Sequence, residues 1–357
     1  MSKVKFGIVG GGWRAEFFVR VAKAIPDVFE VSSVLFRDEV KAETFREKYN
    51  VPVTTDFNEL VSAETDYIIL SVKPFACLEN IEKLFKTGKA VLCETPPAAS
   101  AEELTALWHL VKQYDGKIQV AEQYFVQPLY AAWLKAVEQG IIGEVSNINI
   151  SAIHGYHGIN IIRRFLGVTR ENCRISGERY NFPVVKTGGR EGRCYTGEVI
   201  TAVRDRVTFE FENGKIAFYD FSGTQYHSYI RTRQLNIQGL KGEIDDLTIR
   251  YLNKNNEAVT QNLYRDDEGV YNNREWSHVG LMLGSKYLYK SPFQAARLND
   301  DEIAIATIMY LMKGYVDSGR EFYSIQDALQ DSYLSFMMNK SLEAGIPVET
   351  DTQIWFE

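Results

Sequence analysis

The chain has 357 residues, 45% hydrophobic and 24% charged; these are the proportions of a soluble globular protein, and the length exceeds one ordinary core, so two domains are expected. Its net charge of -7 argues against a nucleic-acid-binding surface, which needs clustered positive charge. No apolar run is long enough to cross a bilayer, and Met1-Ser2-Lys3 leads directly into a core strand, so a cytoplasmic protein with no membrane partner is expected.

Residues 4–9 are short, β-rich and bounded by glycine, which predicts a buried strand. A glycine turn follows, then a helix over 14–24 with Phe17, Phe18 and Val21 at helical spacing. Together they read Gly10-x-Gly12-x-x-Ala15, the dinucleotide fingerprint with alanine in third place. Gly10 permits the tight turn, Gly12 lets the backbone approach a pyrophosphate, and Ala15 lets helix and strand pack closely. The start of the helix offers free N–H groups and positive dipole to the phosphates, beside Trp13 and Arg14. The bland alternative is a glycine turn in some other α/β fold.

A strand over 29–36 and a helix over 38–49 come next. Residues 66–72 are nearly all apolar, as in a parallel sheet covered on both faces, and Lys73-Pro74 ends them. A helix closes at Gly88, a strand over 90–93 stops at Glu94-Thr95-Pro96-Pro97, and Ser100-x-x-Glu103 forms a capping box for a helix ending near Tyr114. A strand over 117–121 completes the alternation. Parallel βαβ units follow from it, so 1–122 is expected to be a Rossmann domain binding NAD(P). Lys73 stands at the carboxyl end of a parallel strand, where open α/β sheets bind ligands. With Ser71, Pro74, Glu94, Gln123 and Arg37 it joins Gly10, Gly12, Trp13 and Arg14 as the candidate cofactor-binding set.

From 123 the pattern changes. A helix over 129–139 and a strand over 144–153 precede a short helix over 157–166 and long β-like runs. Runs 199–212 and 215–221 are joined by Asn213-Gly214, the strongest short hairpin signal. Strands are expected at 229–238 and 243–252, helices at 273–283, 294–316 and 325–342, and mobile patches at 187–192 and 253–257. The second domain, 123–357, is therefore expected to be α+β with an open, mostly antiparallel sheet, its late helices packing back on the first domain. The four cysteines, Cys77, Cys93, Cys173 and Cys194, form no C-x-x-C pair, so reduced thiols and no metal site are expected.

The order of these features resembles the glucose–fructose oxidoreductase / inositol dehydrogenase / rhizopine-catabolism (Gfo/Idh/MocA) family over nearly the whole chain. Gly88-Lys-Ala-Val-Leu-Cys-Glu94-Thr95-Pro96 is similar to its G-K-x-V-x-x-E-K-P stretch, Gly140-Ile-Ile-Gly143-Glu-Val145 to its G-x-I-G-x-V entry into the second domain, and 157–167 to its H-x-x-D-x-x-x-x-x-x-G helix. The resemblance implies an NAD(P)-dependent oxidoreductase on a small sugar or polyol, forming dimers or tetramers through the second-domain sheet. It also implies departures. Thr95 replaces the lysine that assists proton transfer beside the nicotinamide, and Ile153 stands where family members often place an aspartate. Of the lysine–aspartate–histidine set only His157 remains.

His154 and His157 flank Gly155-Tyr156 at the start of a helix, and histidine both takes and gives a proton near neutral pH. His157, then His154 and Tyr156, with Thr95 as a hydrogen-bonding group, are the catalytic candidates; the bland reading is histidines that cap a helix. His227, Tyr229, Arg231 and Arg233 share a face if their stretch is a strand, and line either the cleft or a solvated or oligomer-facing stripe. Phe36 occupies the end of the second strand, where NAD enzymes of this fold place an acid for the ribose 2′-OH. With Arg37 next to it, NADP is expected over NAD unless Asp38 takes the acidic role. Three functions remain open: an NAD(P)-dependent oxidoreductase, an NAD(P)-binding sensor or regulator without dehydrogenase activity, and a glycoside-cleaving enzyme that uses NAD transiently.

Overall fold

The computed structural model describes residues 3–271 and 273–357. The chain divides into two compact units, one of Met1–Pro128, Asp266–Gly280 and Lys290–Ser332, the other of Leu129–Arg265, Leu281–Tyr289 and Tyr333–Glu357.

In the first unit strands and helices alternate: β1 (Val4–Val9), α1 (Trp13–Ala24), β2 (Phe29–Leu35), α2 (Glu39–Tyr49), β3 (Val53–Thr54), α3 (Phe57–Ser62), β4 (Tyr67–Leu70), α4 (Cys77–Phe85), β5 (Val91–Cys93), α5 (Ala101–Tyr114) and β6 (Ile118–Val120). The six strands run parallel in the order β3-β2-β1-β4-β5-β6. Helices cover both faces of such a sheet, which is why β4 and β5 are apolar at every position and wholly buried. The strand order reverses between β1 and β4, and there the carboxyl ends of two neighbouring strands open a crevice. The loops after β1 and β4, carrying Gly10 to Gly12 and Ser71 to Pro74, both start at that crevice. Helix α8 (Asp300–Ser318) belongs to this unit as well; the buried Tyr67 hydroxyl donates to the Met309 carbonyl at 2.9 Å. The expected capping box on α5 forms by half: Ser100 Oγ accepts the Glu103 N–H, while the Glu103 carboxylate accepts from Ala99 N–H at 2.8 Å.

The remaining elements are α6 (Pro128–Glu138), β7 (Val145–Ser151), α7 (Gly155–Leu166), β8 (Cys173–Val185), β9 (Gly188–Gly189), β10 (Gly192–Arg193), β11 (Val199–Phe211), β12 (Ile216–Phe221), β13 (Gln234–Gly239), β14 (Gly242–Asp245), β15 (Thr248–Leu252), β16 (Ala258–Glu268), β17 (Ser277–Leu283), β18 (Lys286–Lys290), α9 (Ile325–Ala344) and β19 (Val348–Glu349). Eleven strands form a mostly antiparallel sheet in the order β18-β17-β16-β15-β14-β13-β7-β12-β11-β8-β19, with β7 and β12 parallel. Alternation sets the faces: Ile148 and Ile150, Ala217, Tyr219 and Phe221, and Val207, Phe209 and Phe211 all point inward and are buried. Helix α7 packs on β7 and comes so near the sheet that a Cβ on Gly158 would stand 2.8 Å from the Tyr219 ring.

Several local expectations change. Residues 273–283 were expected to be helical, but 277–283 are strand β17. Its Gly280 weakens a helix, and Gly284 at φ +60° turns it into the hairpin with β18. Residues 227–233 lie outside any strand, since β13 begins at Gln234, so the shared-face argument for His227, Tyr229, Arg231 and Arg233 does not hold. The stretch 243–252 is two strands, parted by a turn in which Asp246 adopts φ +47°. The glycine-rich patch at 187–192 carries the small β9–β10 ladder.

Candidate active site

The glycine loop separates its three glycines by task. Gly10 has φ +110°, and a Cβ there would fall 2.2 Å from the Ser71 carbonyl oxygen, so the chain's own backbone demands glycine. At Gly11 a Cβ would fall 1.9 Å from the Phe36 ring. Gly12 differs: φ is −80°, a Cβ would meet nothing within 4 Å, and no side chain caps the helix it opens. Nothing in the protein requires a glycine at that position. An open cradle at an uncapped helix N-terminus fits a dinucleotide pyrophosphate, whose oxygens accept N–H bonds and gain from the dipole. Ala15, fully buried, closes the fingerprint by packing α1 on the sheet.

Arg14, in the first turn of α1, crosses the carboxyl edge of the sheet. Its Nε donates to Glu94 Oε1 at 2.6 Å and its Nη2 to Gln123 Oε1 at 2.9 Å, while the guanidinium lies 5.4 Å from the Phe17 ring centroid. Both charged side chains are largely shielded, at 15% and 11% exposure, so the pair is held in a poorly screened environment. Glu94 Oε2 also accepts the Thr95 N–H at 3.3 Å. Arg14, Glu94, Gln123 and the Thr95 backbone thus form one connected network, the guanidinium bonded to the residue that precedes Thr95. Trp13 is 57% exposed beside the loop. Lys73 is exposed at the end of β4, precedes the 3₁₀ turn Pro74–Ala76 and makes no ion pair among the described residues. Ser71 N–H donates to Val9 O at 2.9 Å, tying the β4 loop to the end of β1.

At the end of β2, Phe36 is buried against the glycine loop and packs on Phe45, with ring centroids 5.1 Å apart. Arg37 is exposed. Asp38 is the N-cap of α2; its carboxylate accepts from Lys41 N–H at 2.8 Å.

In the second unit, α7 begins at a histidine and tyrosine cluster. His154 is the exposed N-cap residue of α7. Tyr226 Oη accepts its backbone N–H at 3.0 Å and lies 2.5 Å from its Nδ1, which fixes the ring. Tyr219 Oη accepts the Gly155 N–H at 2.9 Å, and burial pushes this phenol well above its ordinary range. The His154 and His157 rings meet edge-on at 4.9 Å, and Arg233 lies 5.2 Å from the Tyr226 ring centroid. His157 is half-buried. Tyr156 is only 6% exposed and Ile153 fully buried, so neither offers a side chain to solvent. Two neighbouring imidazoles, one held by a phenol, can accept and relay a proton. Tyr219 and Tyr226 are the members that sequence reading missed as partners. The inward alternation 217, 219, 221 marks Tyr219 as core, and Tyr226 lies in a 3₁₀ turn, Gly223–Tyr226.

A parallel six-stranded sheet with a glycine loop at its reversal point defines a Rossmann-type dinucleotide-binding protein, here combined with a large, mostly antiparallel sheet. Residues 4–122, about a third of the chain, match the model of the Gfo/Idh/MocA oxidoreductase family with its NAD-binding Rossmann fold. Inositol 2-dehydrogenase of Rhizobium meliloti is 27% identical over 151 residues, 42% of this chain and 45% of that protein. The chain therefore matches less than half the length of this curated relative. Two solved structures share the fold across the chain. An oxidoreductase from Agrobacterium radiobacter in complex with NAD+, L-tartaric acid and magnesium has TM-score 0.69 and 15% identity, covering 98% of each chain. Levoglucosan dehydrogenase in complex with NADH and levoglucosan has TM-score 0.70 and 14% identity, covering 98% of this chain and 99% of that one. No helix among the described residues is long and apolar enough to cross a membrane.

Proposed function

We propose that this protein is an NAD(P)-dependent oxidoreductase acting on a small hydroxylated, sugar-like substrate. The observation that carries the reading is Gly12, a glycine that the protein's own packing does not need, at the open start of α1. The dinucleotide, when bound, supplies the hydride chemistry. The chain's part is binding and proton management: Gly10 to Arg14 would hold the pyrophosphate, Lys73 would neutralise charge at the crevice, and the Arg14–Glu94–Gln123 network would hold the loop after β5 still. His157 would take the substrate hydroxyl proton, with His154 beside it. The sugar-related substrates of the compared dehydrogenases support the substrate class.

NADP is the expected cofactor over NAD. Phe36 leaves no carboxylate at the end of β2, Asp38 is committed to capping α2, and the exposed Arg37 would pair with a 2′-phosphate. Equilibrium titration of both cofactors, with absorbance at the nicotinamide band in a polyol and sugar screen, tests the pair of statements. NADP(H) should bind more tightly, and Arg37→Ala should remove the difference; tighter NAD(H) binding by the parent would overturn the preference. A second reading, cofactor binding without dehydrogenation, is favoured by Thr95 in place of a lysine and by the buried Ile153. We also propose a homo-oligomer. The far end of the β8–β11 pair exposes Val185, Val199 and Val203, at 44%, 65% and 45%, and light scattering should give a multiple of 40.7 kDa that Val199→Asp lowers.

A further inference from the structure

The loop 227–233 leads from the 3₁₀ turn that holds Tyr226 to the start of β13, and it contains His227, Arg231 and Arg233 and no carboxylate. Arg233 precedes β13 directly. Two positions on, Leu235 pairs with Ile150 of β7, and both are buried on the face that α7 covers. The Arg233 guanidinium lies 5.2 Å from the Tyr226 ring centroid, and that ring packs at 5.1 Å on Phe221, another buried side chain of the same face. Arg233 therefore stands at the edge of the sheet that holds the imidazoles. Tyr226 joins the two: its hydroxyl accepts the His154 backbone N–H and lies 2.5 Å from Nδ1, while its ring bears the guanidinium. One phenol separates the cation from the imidazole.

The acids of the neighbouring strands are already engaged. Asp205 is held by Arg179 and Asp220 by Arg204, each through two bonds, and the Asp246 carboxylate accepts the Leu235 N–H. The excursion between β8 and β11 meets the same loop where Tyr229 Oη donates to the Cys194 carbonyl at 3.5 Å. It adds Arg190 and Arg193 against Glu191, its Lys186 being paired with Glu198. Arg233 itself is exposed and makes no ion pair or side-chain hydrogen bond among the described residues. A ring face steadies a guanidinium while leaving its in-plane N–H donors available. Such a fork matches the two oxygens of a carboxylate, and one carboxylate balances its single charge, whereas a phosphate monoester carries nearly two. Building on the reading of the α7 start as the substrate site, we propose that the substrate is a sugar acid. Its carboxylate lies on Arg233 and one of its hydroxyls at the His154–His157 pair. Arg233 is then the specificity residue: it selects the acid over the neutral sugar and sets which hydroxyl reaches the imidazoles.

Two pairs of probes differ in the carboxylate alone, gluconate with glucitol and glucuronate with glucose. Isothermal titration of the full-length chain with excess NADPH, which prevents turnover, should show saturable binding of at least one acid, about tenfold or more tighter than its neutral partner. Arg233→Gln should remove that difference by weakening the acid, while NADPH affinity and melting temperature stay at parental values. Three results would each overturn the proposal: no saturable binding of either acid, neutral sugars bound as tightly as the acids, or a folded Arg233→Gln protein that binds the acid as the parent does. Cofactor reduction by the same four compounds with NADP and NAD reports separately on the oxidoreductase reading. Oxidation of the neutral sugars in preference to the acids keeps the dehydrogenase and removes the carboxylate subsite. An acid that binds through Arg233, with none of the four oxidised, keeps the subsite and removes the dehydrogenase.

Discussion

The two outer glycines of the fingerprint are chemically identical, and the structure assigns them opposite consequences. Gly12 sits at φ −80°, ψ 177°, an extended conformation that valine adopts readily, with open space where its side chain would go. Gly12→Val should therefore leave stability within about 0.5 kcal/mol of the parent, as substitutions away from packing usually do. Its cost should fall on NAD(H) and NADP(H), at least tenfold in affinity or about 1.4 kcal/mol. Gly10→Ala should do the reverse, because a left-handed backbone and a Cβ 2.2 Å from the Ser71 carbonyl oxygen strain the folded chain by roughly 1–3 kcal/mol. Thermal melts and fluorescence titrations of the two variants separate these effects. Wild-type cofactor affinity in Gly12→Val would remove the glycine loop from the binding site. The motif itself was legible in the sequence because two short-range spacings encode it. The Arg14–Glu94–Gln123 network was not, since its bonds span 80 and 109 positions and depend on where α1, β5 and β6 end.

Turns show the same division between local and distant information. Asp246 joins β14 to β15 in a left-handed conformation; its carboxylate accepts the Leu235 N–H at 2.9 Å and its carbonyl accepts the Trp133 indole N–H at 2.8 Å. Burial raises its carboxyl above the ordinary value of 3.8, so the folded state holds the proton more tightly than the unfolded chain. The stabilising contribution is full below pH 3.8 and is lost as pH rises through the raised value. Asp246→Asn keeps an acceptor for Leu235, tolerates the left-handed backbone and removes the charge. It should raise the melting temperature at pH 7 and not at pH 3; the group is only partly buried and solvent screens it, so the gain should stay under about 1 kcal/mol. An equal gain at both pH values would show that charge burial is not its cause. Sequence reading took residues 243–252 as one strand because nothing local distinguishes Asp246 from a polar strand residue. It found the β11–β12 hairpin because Asn213-Gly214 supplies φ +82° at Gly214. It assigned 277–283 to a helix because short apolar runs fit both periods, and the hairpin partner that decides between them lies further along the chain.

At the scale of the molecule, the first unit was the more readable, since a parallel sheet must be apolar along every strand and βαβ order fixes its neighbours. Within 1–122, two-residue β3 and the six-residue α3 escaped, being too short to show a period. The second unit was readable as a class and not in detail, because its strand pairs join residues far apart, such as β19 with β8. Function divides along the same line. The cofactor half of the proposal rests on a loop in the first unit, and the proton half on α7 of the second, so each has its own variant. Cofactor at 100 times its dissociation constant should stabilise the folded chain by about 2.7 kcal/mol, an effect that His157→Ala should keep and that a tenfold or greater loss of affinity in Gly12→Val should cut, at the same concentration, to about 1.4 kcal/mol or less. Turnover of a hydroxylated substrate should behave differently. On the proposed role of His157 as proton acceptor, His157→Ala should cost about 10²–10⁴ in kcat. Thr95→Ala removes a hydroxyl that holds no charge and is no base near pH 7, so it should cost under about tenfold. Loss of turnover in Thr95→Ala with turnover retained in His157→Ala would move the proton transfer to the first unit. Cofactor-linked stabilisation without turnover of any hydroxylated substrate would make the protein a dinucleotide-binding relative rather than a dehydrogenase.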